Sequence, residues 1–187
     1  MPLPITILPT PSLRAPSTKI AAADLLTPEV QKFLHELIPT MYFEDGIGLA
    51  APQVAHNIRA CLIGQKAIPP KAKIPGRLFP NRADLILVNP EYQIIGRKQQ
   101  TETEGCLSVP GFFGKVSRYR DLLVKAQIET GATIEFEAHG FFARVIQHEI
   151  DHLNGVLFID RAKDLFQTEH RKYLAPEVVV KNVKHID

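Results

Sequence analysis

The chain is short of cysteine, of net charge and of long apolar runs, and each shortage removes a class of protein. Cys61 and Cys106 are the two cysteines among 187 residues, too few for a disulfide framework. Basic and acidic residues nearly cancel, 22 against 20, leaving a formal charge of +2. So weak a balance makes no case for a nucleic-acid partner or an acidic membrane surface. The most basic stretch, residues 66–82, is diluted by proline and apolar residues and reads as a solvated loop. No segment approaches the roughly 20 apolar residues that cross a bilayer. The N-terminus lacks the basic start, apolar run and small-residue cleavage site of a secretory signal. A reducing, cytoplasmic setting is the expectation.

What remains is an ordinary globular composition, 45% hydrophobic and 22% charged. At this length the prior favours one domain over residues 1–187, with a core that needs no staples. Residues 1–23 hold five of the fifteen prolines and read as an extended lead-in. Thr27-Pro28-Glu29 is a helix start, and Val30, Phe33, Leu34, Leu37 and Ile38 follow at helical spacing. Pro39 is expected to kink or end this helix, with the helical pattern able to resume to about Glu44 and Gly46 to stop it. Arg59 to Gly64 reads as a strand. Asp84 to Asn89 and Tyr92 to Gly96 read as β-rich runs parted by Pro90-Glu91. Lys115 to Glu129 and Ala132 to Ala138 read as a hairpin across Thr130-Gly131. Val178-Val179-Val180 is a short β-like run in the tail. The fold class is α+β, with antiparallel strands packed around one central helix.

That helix, Gly140 to Gly155, carries the chemistry. It contains His148-Glu149-Ile150-Asp151-His152. Histidines four apart lie one turn apart on the same face, where two imidazoles can hold one metal ion. Glu149 lies about 100° away, less well aimed as a ligand and suited to act as general base on metal-bound water. Phe141 and Val145 share the histidine side, and Phe142, Ile146, Ile150 and Leu153 form an adjoining apolar stripe. Only Arg144, Gln147, Asp151 and Asn154 make a polar edge, so the helix should be mostly buried. Buried imidazoles and a carboxylate need partners, which a metal supplies. The alternative is two core or surface histidines at a coincidental spacing.

Cys106, in Glu104-Gly105-Cys106-Leu107-Ser108, is the natural third ligand, because catalytic sites of this kind have three protein ligands and an open position. Read alone, it fits a buried thiol as well, as does Cys61 in its apolar run. Gly46-Ile47-Gly48-Leu49-Ala50-Ala51-Pro52-Gln53 lacks the third glycine of a nucleotide fingerprint. It reads better as a backbone edge that a peptide can approach, with Gln53 able to donate to a reacting carbonyl or to serve as an ordinary loop residue.

Together, in this order, the segments 46–53, 104–108 and 148–155 resemble the three motifs of the peptide deformylase family. The resemblance spans roughly residues 5–160. It implies removal of the N-terminal formyl group from formyl-methionyl nascent chains, with the ribosome a candidate partner. Cys106, His148 and His152 would bind one divalent metal per chain, typically Fe²⁺, with Zn²⁺, Ni²⁺ or Co²⁺ able to substitute. Glu149 would be the general base, and Gln53 and the Leu107 N–H would stabilise the oxyanion. Ile47 and Gly48 would pair with the substrate backbone. Phe141, Val145 and Ile47 would line a methionine pocket. Phe112-Phe113-Gly114 departs from the family, many members of which carry Arg shortly after the second motif. The 65–82 loop also looks long, and no long C-terminal helix is evident. Competing readings are a different His-Glu-x-x-His hydrolase or a non-catalytic relative that binds formyl peptides or a metal.

Overall fold

Alternation along the strands decides how the layers stack. The structure, a computed structural model, describes residues 1–75 and 84–167. Its eight strands are β1 (Gly48–Ala50), β2 (Ala60–Ile63), β3 (Leu85–Ile94), β4 (Gln99–Cys106), β5 (Val109–Tyr119), β6 (Asp121–Gln127), β7 (Thr133–His139) and β8 (Lys163–Gln167). They form a five-stranded sheet, ordered β1-β2-β3-β6-β7, and a three-stranded sheet, ordered β4-β5-β8. Every strand pairing is antiparallel. Three helices accompany them: α1 (Ala22–Leu25), α2 (Pro28–Phe43) and α3 (Gly140–Leu153).

The five-stranded sheet is apolar on both faces. Cys61, Ile63, Leu85 and Leu87 point to one side, where Phe142, Val145, Ile146, Ile150 and Leu153 of α3 cover them. Ala60, Leu62, Ile86 and Val88 point to the other, against Phe33, Leu34, Leu37 and Met41 of α2. A period of two on the strands meets a period of 3.6 on each helix, so the sheet is a filling between two helices. The three-stranded sheet closes on a separate cluster of Leu8, Val109, Phe112, Val116, Leu157 and Phe158. The antiparallel α+β class expected from the sequence is what the structure has.

Several local expectations need correction. Pro39 does not end α2, which runs on to Phe43 with Glu44 at its C-cap, where the resumed helical pattern put its end. The ring costs one amide donor, and burial of Leu37 and Met41 on either side holds the helix together. Thr27 is the N-cap residue, but its hydroxyl donates back to the Asp24 carbonyl and leaves the helix amides alone. The two runs around Pro90 are one strand, β3, with a bulge between Val88 and Glu91. Asn89 takes the positive φ there, and its amide ties the bulge to the backbone of Ile20. The run from Lys115 is two strands. The chain changes sheet at Arg120, with β5 in one sheet and β6 in the other. The hairpin across Thr130-Gly131 joins β6 to β7 as expected, with Gly131 at positive φ. The lead-in is not wholly extended, because Pro11–Arg14 form a 3-10 turn and α1 follows. Val178-Val179-Val180 lies outside the described residues. No helix among the described residues is long and apolar enough to cross a membrane.

Phe142 is the anchor between α3 and the sheet. It is 1% exposed and stacks on Phe136 of β7, ring centroids 5.8 Å apart. Phe142→Ala should lower the unfolding free energy by about 3–5 kcal/mol. Urea denaturation tests this, and a loss below about 1 kcal/mol would mean that α3 is held by something other than this packing.

Candidate metal centre and active-site cleft

The functional side chains meet at the seam between the two sheets. β1 is an edge strand of one sheet and β4 an edge strand of the other. A cleft of about 620 Å³ opens beside them, lined by Ile47, Gly48, Gln53, Cys106, Leu107, Phe141, Val145, His148 and Glu149. The α3 segment passes beneath it. Every residue singled out in the sequence lies in or against this cleft except His152, which sits behind Cys106, its Nε2 3.2 Å from Sγ.

Cys106 ends β4, where a register shift between Gly105 and Cys106 turns the strand and aims the thiol away from the ladder. The tight connection that follows is pinned from outside, because the Leu8 N–H of the lead-in donates to the Ser108 carbonyl at 2.9 Å. One donor atom each from Cys106, His148 and His152 lies within 4.8 Å of the others. Nδ1 of His148 faces Glu104 Oε2 at 3.0 Å. A carboxylate acceptor there requires an N–H on Nδ1, so in the neutral imidazole Nε2 carries the lone pair that can hold a metal. The His148 ring also stacks on Phe158, centroids 6.4 Å apart. A thiol and two imidazoles converging in this way fit a transition-metal ion. Glu149 Oε2, buried beside them, finds no hydrogen-bond partner among the described residues.

Gln53 follows β1 in a short 3-10 turn over Ala51–Val54. Its Oε1 accepts from the Ala50 N–H at 2.8 Å, which fixes the amide orientation. Nε2 is therefore directed at Ser108 Oγ, 3.3 Å away, and Cys106 Sγ, 3.5 Å away. Glu149 lies against β1 because residue 48 has no side chain. A Cβ on Gly48 would sit 2.3 Å from Glu149 Oε1. Burial pushes the Glu149 carboxyl up to about 7; the negative charge of Glu104 adds to this, and the positive charges of His148 and Arg118 oppose it. Val145 is buried on the cleft floor, whereas Phe141 and Ile47 stand at the mouth, 48% and 38% exposed.

Behind the histidines lies a charge network that the sequence reading did not foresee. Arg118 forks onto Glu104, with N–O distances of 3.0 and 2.9 Å, and also donates to Asp151. Arg144 donates to Glu104 at 2.6 Å, and Arg161 grips Asp151 with two bonds of 2.6 and 2.7 Å. Glu104, Arg118, Arg144 and Asp151 are all buried. Burial alone would raise the Glu104 carboxyl, but the hydrogen bonds from Arg118 and His148 outweigh it and hold it well below the usual range. Burial likewise opposes the Arg118 charge, and Glu104 and Asp151 more than compensate. The expected burial of α3 extends even to its polar edge, where Arg144, Gln147 and Asp151 are buried. One signal was available. Phe112, Gly114, Val116 and Arg118 alternate on the inward face of β5, so period two marks Arg118 as buried.

Comparison with known proteins agrees with this geometry. The sequence profile of the family described as polypeptide deformylase matches residues 2–168. The peptide deformylase of Psychrobacter arcticus is 37% identical over 169 residues, covering 90% of this chain and 84% of that protein. That of Hydrogenovibrio crunogenus is 43% identical over 143 residues, covering 76% of this chain and 77% of that one. Among solved structures, peptide deformylase from Thermotoga maritima superposes with a TM-score of 0.75 at 33% identity, covering 87% of this chain and 99% of that one. The class I type b enzyme from Acinetobacter baumannii, with Met-Ala-Ser bound, gives 0.75 at 30% identity, covering 86% and 98%. The chain belongs to the polypeptide deformylase family of enzymes.

Proposed function

We propose that the protein is a metal-dependent hydrolase that removes the formyl group from the N-terminal methionine of newly made polypeptides. The observation that carries this reading is the convergence of three metal-binding side chains with a buried carboxylate and a directed amide in one cleft. The tripeptide Met-Ala-Ser held by the Acinetobacter baumannii relative has the chemistry of a deformylated product.

In this reading Cys106, His148 and His152 hold one divalent ion, Fe²⁺ in the cell, with Zn²⁺, Ni²⁺ or Co²⁺ able to substitute. When bound, the ion acidifies water and polarises the formyl carbonyl. Glu149 accepts a proton from the attacking water and passes it to the departing amine. Gln53 Nε2 and the Leu107 N–H donate to the oxygen that becomes negative as water adds. The backbone at Ile47 and Gly48, on the free edge beside β1, pairs with the peptide as an added strand. Ile47, Phe141 and Val145 receive the methionine side chain. Glu104 is a positioning residue that holds the His148 ring by its Nδ1–H. The whole chain acts as one catalytic domain in the cytoplasm, where nascent chains carry the formyl group, and the ribosome is the partner that would deliver them.

Three outcomes are expected. Protein purified without oxygen, with its metal quantified, should deformylate a short formyl-methionyl peptide, and a chelator should abolish turnover. One bound ion without turnover, even after Fe²⁺ or Ni²⁺ reconstitution, would sink the assignment. Glu149→Gln should keep its metal and lose about 10²–10⁴-fold in kcat; wild-type turnover in this variant would remove Glu149 as the base. Glu104→Gln should weaken metal affinity by about 10–100-fold in a chelator competition, and unchanged affinity would show that His148 needs no help from Glu104.

A further inference from the structure

The cleft has an aromatic wall that the proposed chemistry does not use. Along β5, Phe112 is buried in the core and Phe113 alternates to the outward face, and both border the cleft. Phe113 pairs with Gly105 on β4 and with Phe166 on β8. Residues paired across a sheet share its face, so Gly105, Phe113 and Phe166 form one row. Phe113 and Phe166 stack, centroids 6.0 Å apart and planes 23° from parallel, and Phe166 remains 46% exposed. At the other end of the row, the Phe113 ring lies over Gly105, where a Cβ would come within 2.6 Å of it. The wall therefore begins one residue from Cys106. It extends across two strand spacings, about 10 Å, comparable to two or three residues of extended chain.

A half-exposed aromatic pair loses apolar contact to water unless something covers it, and the place of Phe113 in the cleft names the occupant. Resting on the deformylase reading above, we propose that Phe113 and Phe166 are specificity-determining residues, which select formyl-methionyl peptides with a large apolar or aromatic side chain at the second or third position. The occupant is the substrate itself, because Phe113 lines the cleft that holds the reacting groups, and Phe166 stacks on it beyond that lining. Phe113 supplies the ring face next to the site, and Phe166 backs and extends it.

Initial-rate kinetics on metal-loaded protein with formyl-Met-Ala-Ser, formyl-Met-Phe-Ser and formyl-Met-Ala-Phe test this. One of the phenylalanine peptides should show a KM lower than formyl-Met-Ala-Ser by about 3–10-fold, the range one aromatic contact supplies, with little change in kcat. Phe113→Ala and Phe166→Ala should bring that ratio close to one, and Phe113→Tyr should retain it. Equal KM values for the three peptides in the wild-type protein would overturn the proposal without needing any variant. A ratio that survives in both alanine variants would overturn it as well. Absence of turnover on all three peptides would instead overturn the deformylase reading, and this proposal with it.

Discussion

The hydrogen bond from His148 to Glu104 depends on a buried ion network, and much of the site's geometry depends on that bond. Glu104 comes from β4, Arg118 from β5, and Arg144, His148 and Asp151 from α3. Two carboxylates and two guanidinium groups are buried together there, equal in number and opposite in sign. Burying any one alone would cost several kcal/mol, so the group is stable only when complete. Completeness in turn specifies register. A slip of one residue between β4 and β5 would send Glu104 to the outer face, away from Arg118, Arg144 and His148, and leave Arg118 with Asp151 alone. Cys106 is two residues beyond Glu104 on the same strand. The network that orients one imidazole therefore also fixes where the thiol can lie.

The seam between the sheets supplies the second constraint. Exposed edge strands invite unwanted pairing, and folds commonly cover or blunt them. Here β1 and β4 border the cleft instead, with α3 beneath and the lead-in pinned at Thr6 and Leu8 to the loops that carry Gln53 and Ser108. In the proposed reading, backbone groups along such an edge are available to an extended peptide, while His148 and Glu149 rise from α3 below. The proline-rich N-terminal segment, which looks like a mere leader, thus clamps both loops that bring polar groups to the site.

How much of this could be read beforehand differs by element. The spacing His148-x-x-x-His152 and the apolar face of α3 are local patterns of period 3.6, and the helix is where they put it. Cys106 and Gln53 could be singled out because short motifs surround them. The sheet change at Arg120 could not, because inward and outward residues alternate on both sides of it and no glycine or proline marks the bend. Strand β4 was missed because its first residues, Gln99 to Thr103, are polar on both faces. The charge network was missed for a related reason. Apart from Arg118, which the alternation of β5 marks as inward, each member looks like a surface residue in its own segment, and only the packing of β4, β5 and α3 turns it inward.

Two glycines show how closely backbone placement and chemistry are joined. Gly48 leaves the space that the Glu149 carboxylate fills, and Gly105 leaves the space that the Phe113 ring fills. At both positions a side chain is absent from an edge strand so that one from another element can reach the cleft. The two differ in what enters. At Gly48 it is a carboxylate beside the proposed metal ligands, and an alanine there would displace the group proposed to move the proton. At Gly105 it is an aromatic ring on the outer face of the three-stranded sheet, and a side chain there would tilt the wall while leaving Glu149 and Gln53 untouched. The reacting groups and the aromatic wall are therefore held by separate steric allowances on opposite sides of one cleft, so a change to one need not disturb the other.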